Sequence, residues 1–308
     1  METVSGNGII LNTMPNYLVS EKKSQTWQPC TRNFITGKCG SGHIFAKQLV
    51  CGKEYCPDCG NEESITHNRR ISRWWNKIFS FKTVGYLVVT VPSEFLDFFK
   101  NRKNLSEFKK YSIITMKELG FKQGLFRFHW YGDCKLCEGK GCDECKGTGA
   151  GNVWRPHINI LVEQGYLKEE IFKNFTDSLK SYFRCFFESI TGEPMPEGKD
   201  NVFYSYRSTP EKICHTLKYV TRSTFRIYNK EIADLLHGFR ASQTWGKFGN
   251  IKHETMNNST ILLENGKCPC CKLPIKWNPI LIKTEIFRKL NFIDIKDGYY
   301  QIILKPPI

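Results

Sequence analysis

The sequence predicts an α+β protein: a central antiparallel sheet with helices on one face, plus zinc-binding insertions. Three observations lead there. Residues 125–131 and 153–162 alternate apolar and polar side chains with the period of two expected of half-buried strands. Apolar stripes at helical spacing occupy 61–80, 93–119 and 167–190. The chain has 14 cysteines, and most fall in C-x2-C pairs, a spacing that lets two sulfurs face one tetrahedral ion.

Residues 1–29 are polar-rich and read as an irregular arm. Six candidate ligands follow: Cys30, Cys39, His43, Cys51, Cys56 and Cys59. Cys51, Cys56 and Cys59 form the expected site, with Cys30 or Cys39 as fourth ligand; His43, behind Gly42, reads as a loop histidine. Residues 61–80 then set Ile71, Trp74, Trp75, Ile78 and Phe79 against a basic side of Arg69, Arg70, Arg73 and Lys77. The β-rich run 83–91 stops at Pro92. Ser93 to Leu119 has helical spacing and ends at Gly120.

Within 125–131, Phe126, Phe128 and Trp130 share one face, and Arg127, His129 and Tyr131 the other. Within 153–162, Ile158, Ile160 and Val162 lie opposite His157 and Asn159. If the two strands pair antiparallel, His129, His157 and Asn159 share the open side of the sheet. A tandem repeat, Cys134-x2-Cys137 and Cys142-x2-Cys145, each followed by x-Gly-x-Gly, lies between them. It resembles the cysteine-rich repeats of DnaJ-type chaperones, which implies a zinc knuckle at a hairpin tip.

A third helix, 167–190, carries Ile171, Phe175, Leu179 and Phe183. Cys185 and Cys214, outside the pairs, read as buried thiols. Residues 201–205 are β-like, and Pro210 opens a helix with Ile213, Leu217 and Val220 on its buried side. A cationic connector, 222–252, leads to a C-terminal module with Cys268, Cys270 and Cys271. Cys268 and Cys271 lack a full ligand set nearby and call for a spare cysteine of the first group or His253. Up to three structural Zn²⁺ follow, two of them with enough local cysteines to close.

The 308 residues carry 45 Lys+Arg against 30 Asp+Glu, a net charge of +15. That balance favours a polyanionic partner, nucleic acid rather than membrane. No apolar run approaches the roughly 18 residues of a spanning helix. Met1 to Leu18 lacks Lys and Arg and does not read as a signal peptide. Cysteine pairs at zinc spacing point to a reducing, cytoplasmic compartment, and the basic charge to a nucleoid-associated setting there.

On the helix from Pro210, Tyr219 lies away from the buried stripe, beside Lys212, His215 and Arg222. A phenol with a pKa of about 10 needs help to lose its proton. Cations beside it favour phenolate and hold the phosphate under attack. A divalent ion on His157, Asn159 and His129 would supply the complementary electrostatics. A metal site and a tyrosine on a basic chain are the minimum equipment for cutting single-stranded DNA through a covalent 5′-phosphotyrosine.

These residues resemble the motifs of HUH-type endonucleases, specifically rolling-circle replication initiators of plasmids or small viruses. Leu87-Val88-Val89-Thr90-Val91-Pro92 resembles the first motif, Trp154-Arg155-Pro156-His157-Ile158-Asn159 the second and Tyr219-Val220-Thr221-Arg222 the third. Cys51-x4-Cys56-Pro57-Asp58-Cys59 resembles the cysteine box ahead of the nuclease. The similarity runs from about residue 51 to 250. Asn159 stands where a second histidine is commonest, and its amide oxygen suits Mg²⁺ or Mn²⁺. Arg222 replaces the family's lysine, His129 stands where a third ligand is expected, and His215 where some relatives carry a water-activating glutamate. Tyr219 is the single well-placed tyrosine, with Tyr228 a weaker second.

The resemblance implies a ferredoxin-like core and a division into 1–66 (arm and zinc module), 67–250 (nuclease with the knuckle insertion at 133–150) and 251–308. It implies origin single-stranded DNA or a stem-loop as substrate, touched by Lys212, Lys218 and Arg155, with a host helicase and polymerase as partners. An insertion-sequence transposase would use the same chemistry. A zinc-bearing DNA-binding regulator would explain the charge and the cysteines without His157, Asn159 or Tyr219.

Overall fold

The computed structural model describes residues 30, 33–54, 56, 59–60, 64–134, 136–137, 142–143, 150–196, 201–225, 229–248 and 258–304. The expected arm at 1–29, Cys145, Tyr228 and His253 lie outside them. In chain order the strands and helices are β1 (Asn33–Cys39), β2 (Ile44–Gln48), α1 (Ile65–Ile78), β3 (Val84–Thr90), α2 (Arg102–Glu118) and β4 (Gly124–Asp133). Then come β5 (Ala150–Glu163), α3 (Glu169–Thr191), β6 (Val202–Arg207), α4 (Pro210–Thr221), α5 (Lys230–Leu236) and β7 (Ser242–Trp245). The chain continues with α6 (Ser259–Glu264), β8 (Ile275–Lys283), α7 (Thr284–Phe287), β9 (Phe292–Lys296) and β10 (Tyr299–Ile302).

Two compact units form, one from Met1–Arg73 with His253–Ile308, the other from Trp74–Lys252. The first holds a five-stranded sheet ordered β8-β1-β2-β10-β9. β1 and β2 are therefore flanked by strands from the far end of the sequence. The segments expected as separate N- and C-terminal modules are one unit, because β1 pairs β8 and β2 pairs β10.

The same unit overturns the expected basic face of α1. Arg69 and Arg70 are buried. Arg69 donates to the carbonyls of Gln48, Asp297 and Gly298, at 2.7, 2.8 and 2.9 Å. With Lys47 and Arg73 it also surrounds the buried carboxylate of Glu264 at 3.3–3.6 Å. A guanidinium with five fixed donors can satisfy a ring of carbonyls, which is why charge patterning alone assigns this face wrongly.

The second unit is α+β, with an antiparallel sheet ordered β6-β3-β5-β4-β7. Register decides which side chains share a face. His157 pairs with Thr90 on one side and His129 on the other, and Asn159 with Val88 and Arg127. Val88 also pairs with Phe203, so all of these project from one face. The opposite face presents Leu87, Val89, Phe126, Phe128, Ile158 and Ile160, all buried. There α2 brings Phe108 within 5.9 Å of Phe128, and α3 brings Phe175 within 5.4 Å of Tyr204.

Local signals set the helix ends. The expected helix from Ser93 is instead a short 3-10 turn at Ser93–Phe95. α2 starts later, where the Asn101 side chain accepts from the amide of Lys103. Gly120, at φ 89°, ends that segment. The connector at 222–252 contains α5 and the edge strand β7, whose Trp245 lies over Gly124. A Cβ at Gly124 would come within 2.2 Å of the Trp245 ring. On α3 the buried stripe is Leu179, Phe183, Phe186 and Phe187. That leaves Cys185 exposed, and Cys214 is only partly covered, so neither is the buried thiol expected. Among the described residues no helix is long and apolar enough to cross a membrane.

Candidate metal and tyrosine site

His129 and His157 face each other across the β4–β5 pair with ring centroids 5.1 Å apart. Each has one nitrogen committed. His129 Nε2 lies 3.0 Å from the Val220 carbonyl, and His157 Nδ1 lies 3.0 Å from the Arg155 carbonyl. A carbonyl only accepts, so these nitrogens carry the protons. The other nitrogen of each ring then bears a lone pair. His129 Nδ1 is buried with no hydrogen-bond partner.

Burial holds both rings neutral. It pushes His129 far below the ordinary histidine range, with the neighbouring His157 and Arg127 adding to the effect. Burial also takes His157 down to about 4.

Asn159 completes the group. The Tyr86 hydroxyl donates to its Oδ1 at 2.7 Å, while its Nδ2 is buried and unpartnered. A half-turn of the amide would give Nδ2 to Tyr86 and aim the carbonyl oxygen at the unfilled position; the tyrosine hydroxyl serves either arrangement. Two neutral imidazoles and an amide oxygen make an uncharged ligand set with anchored outer partners. In general, uncharged donors of this kind leave a divalent ion its charge for other ligands.

The sequence suggested an open side for these residues, but the side that carries them is covered. α4 and the chain after it lie across it: Thr221, Ser223, Thr224 and Phe225 are buried, and Thr224 Oγ1 accepts from the amide of Trp130 at 2.8 Å. His129 and Asn159 are fully buried, and only His157, at 9% exposure, reaches the surface.

The Tyr219 ring lies 5.6 Å from that of His129, so the tyrosine and the donor group are neighbours. Tyr219 is half-buried rather than exposed. Lys212, His215 and Lys218 are exposed on α4, and Arg155 is exposed within β5. Arg222 is not on the helix but caps its C-terminus. Its guanidinium stacks over the Tyr219 ring at 4.1 Å and pairs with Asp133. Arg127, fully buried, donates to the Arg222 carbonyl at 3.1 and 3.3 Å. Burial raises the Tyr219 phenol above its ordinary range; Arg222 opposes this and Asp133 reinforces it. The expectation that cations prevail is reversed here, because desolvation outweighs one guanidinium already paired with a carboxylate.

The sequence did not point to Tyr86, Arg127 or Asp133. Tyr86 shares its face with Val88 and Thr90, so the β3–β5 register would have found it. Asp133 adjoins Cys134, the first cysteine of the knuckle. The knuckle insertion therefore begins at the residue that holds Arg222.

Three further groups can hold a zinc-like ion. Cys30, Cys51, Cys56 and Cys59 converge, with sulfurs 3.4 Å apart in the pairs Cys30–Cys56 and Cys51–Cys59. Cys39 does not join them. Cys39, His43, Cys268 and Cys271 form a second group, so His43 is no mere loop residue; the β1–β2 turn delivers it beside Cys39. Cys134, Cys137 and Cys142 form the third. No family model, characterised protein sequence or solved structure matches this chain.

Proposed function

We propose that the chain is an HUH-type endonuclease, a rolling-circle replication initiator. It nicks single-stranded origin DNA with Tyr219 and holds one Mg²⁺ or Mn²⁺ on His129, His157 and Asn159. The observation that carries this reading is the buried, unpartnered Nδ1 of His129, opposite His157 and beside the Tyr219 ring. Support also comes from topology: the chain order β3-α2-β4-β5-α3-β6 with spatial order β6-β3-β5-β4 is the ferredoxin-like arrangement.

The chemistry follows from the residues around the phenol. Tyr219 Oη attacks the scissile phosphorus, the P–O3′ bond breaks, and the departing 3′-oxygen takes a proton from solvent, giving a 3′-hydroxyl end and a 5′-phosphotyrosine on the protein. Asp133 is the carboxylate at hand to accept the phenolic proton. Arg222, oriented by Asp133 and by the contact of Arg127 with its carbonyl, faces the charge that develops on the phosphate. A divalent ion bound by the two imidazoles and the amide would polarise a non-bridging phosphate oxygen. The hydroxyl of Tyr86 fixes the Asn159 amide.

The test is a denaturing gel of the protein with end-labelled single-stranded DNA and Mg²⁺. A slowly migrating protein–DNA adduct with a free 3′-hydroxyl fragment is expected. Binding without any cleavage across Mg²⁺ and Mn²⁺ would leave a zinc-bearing DNA-binding regulator as the better account.

Two variants probe the surroundings. Tyr86→Phe removes one hydroxyl and is expected to weaken Mn²⁺ affinity by about 10–100-fold, the usual effect of losing an outer-shell partner. Calorimetric titration showing no change would remove Tyr86 from the site. Phe203 is 55% exposed on the face that carries Asn159 and stands edge-on to Tyr86 at 6.5 Å. It is placed to stack a base of the bound strand. Phe203→Ala should lose roughly 1–3 kcal/mol of single-strand affinity, the usual worth of one stacked base. Anisotropy showing unchanged binding would refute that role.

A further inference from the structure

The first unit contains a second four-ligand group whose members lie at opposite ends of the chain. We propose that Cys39, His43, Cys268 and Cys271 bind one structural zinc ion, and that this ion clasps the C-terminal strands to the β1–β2 hairpin. The site is independent of the proposed nuclease reaction.

Each half is preformed by its own backbone. Cys39 ends β1 and His43 precedes β2. The turn between them closes through Gly42 N to Cys39 O at 3.0 Å and Cys39 N to His43 O at 3.1 Å. Gly42, at φ 87°, allows that turn and puts both side chains at the hairpin tip. On the other half, Cys268 and Cys271 flank a tight loop. Lys272 N donates to Cys268 O at 2.8 Å and Cys268 N to Leu273 O at 2.9 Å, with Lys272 itself at φ 63°. The backbone amide of Leu273 also faces the Cys271 sulfur, and those of Cys270 and Cys271 face Cys268. This is how a C-x2-C loop stabilises thiolates. Cys270, between the two, is exposed and points elsewhere.

Strand register brings the halves together, since Cys39 pairs with Ile275 across β1 and β8. Cys39 Sγ lies 3.6 Å from Cys271 Sγ, and His43 Nδ1 lies 3.4 Å from Cys39 Sγ and 3.6 Å from Cys268 Sγ. A tetrahedral zinc with Zn–S of about 2.3 Å and Zn–N of about 2.0–2.1 Å sets sulfurs about 3.8 Å apart and sulfur from nitrogen about 3.5 Å. The observed spacings match. A disulfide needs sulfurs at about 2.05 Å and would leave the histidine without a role.

The ligand order gives the site its consequence. Cys30 precedes β1 and Cys51 follows β2, so the other four-cysteine group sits at the open end of the hairpin whose tip holds Cys39 and His43. The hairpin is pinned at both ends. His43 and Cys268 are 225 positions apart, and the whole of Trp74–Lys252 lies between them in sequence. A metal bond across that span opposes a large loss of chain entropy, so zinc binding is coupled to retention of β8 and β10 in the sheet.

The experiment uses the full chain. Zinc per chain is measured by elemental analysis after dialysis for the wild type and for Cys268→Ser/Cys271→Ser, alongside limited proteolysis. The expected result is one zinc fewer in the variant, with new cleavage after residue 252. An unchanged zinc count would overturn the proposal. Because the double variant can misfold, His43→Cys is compared with the wild type after Co²⁺ loading. The proposal expects the cobalt absorption to shift as one nitrogen ligand becomes sulfur, with metal stoichiometry kept. A cobalt spectrum that does not change would refute the assignment of His43, and with it the clasp.

Discussion

Replacing Tyr219 by phenylalanine is expected to abolish nicking and covalent adduct formation while leaving the fold and single-strand binding intact. The change removes one oxygen. The ring remains to stack beneath Arg222 at 4.1 Å and beside His129 at 5.6 Å, so packing has no reason to fail. Loss of a nucleophile commonly costs on the order of 10⁴-fold or more, so no residual cleavage should appear on a gel. Binding is expected to change little, because single-strand affinity generally comes mostly from phosphate contacts, and exposed cations such as Lys212 and Arg155 are untouched. Peptide mapping of the wild-type adduct checks the assignment independently. A DNA-linked peptide that contains Tyr204 or Tyr228 and lacks Tyr219 would overturn it.

The second large effect is expected at His157. His157→Ala should lose cleavage in Mg²⁺ and Mn²⁺, and Mn²⁺ affinity should fall by more than the roughly 10–100-fold expected for Tyr86→Phe, because a ligand is lost rather than its support. His157 is the better choice than His129. His129 is fully buried and holds the Val220 carbonyl, so its removal opens a cavity and leaves a carbonyl unpaired. His157 donates to the Arg155 carbonyl at the rim, where water can replace it. Wild-type cleavage by His157→Ala, or full wild-type activity in excess chelator, would exclude this metal role.

The two variants separate the functional proposal from the zinc clasp. Both positions belong to the second unit, and the clasp is read by zinc count and cobalt absorption rather than by cleavage. Failure of one leaves the other standing.

Much of the second unit was legible because its signals are local. Alternation in 125–131 and 153–162 assigns Ile158, Ile160, Phe126 and Phe128 to one face, and the antiparallel pairing then sets His129 opposite His157. Pro210 marks the start of α4, and the spacing of Ile213, Leu217 and Val220 gives its buried side; the Thr209 cap emerged only from the structure. Tyr219 follows from that stripe, as the residue that the buried side leaves free.

The rest depended on partners far apart in sequence. Arg69 and Arg70 look like solvent-facing cations until the carbonyls of residues 297 and 298 and the carboxylate of Glu264 are beside Arg69. Arg222 looks like a helix-face cation until Asp133 draws it across the phenol. His43 looks like a loop residue until Cys268 and Cys271 arrive from the other end of the chain.

By itself, the sequence determined the α+β class, the strand faces, the cysteine pairs and the candidate tyrosine, because period, capping and ligand spacing act over a few residues. Tertiary structure alone decided how the ligands divide among sites, which cations are buried, and whether the polar face stays open. Those outcomes depend on which distant group satisfies each buried charge or lone pair, and only the folded chain brings such groups within bonding distance.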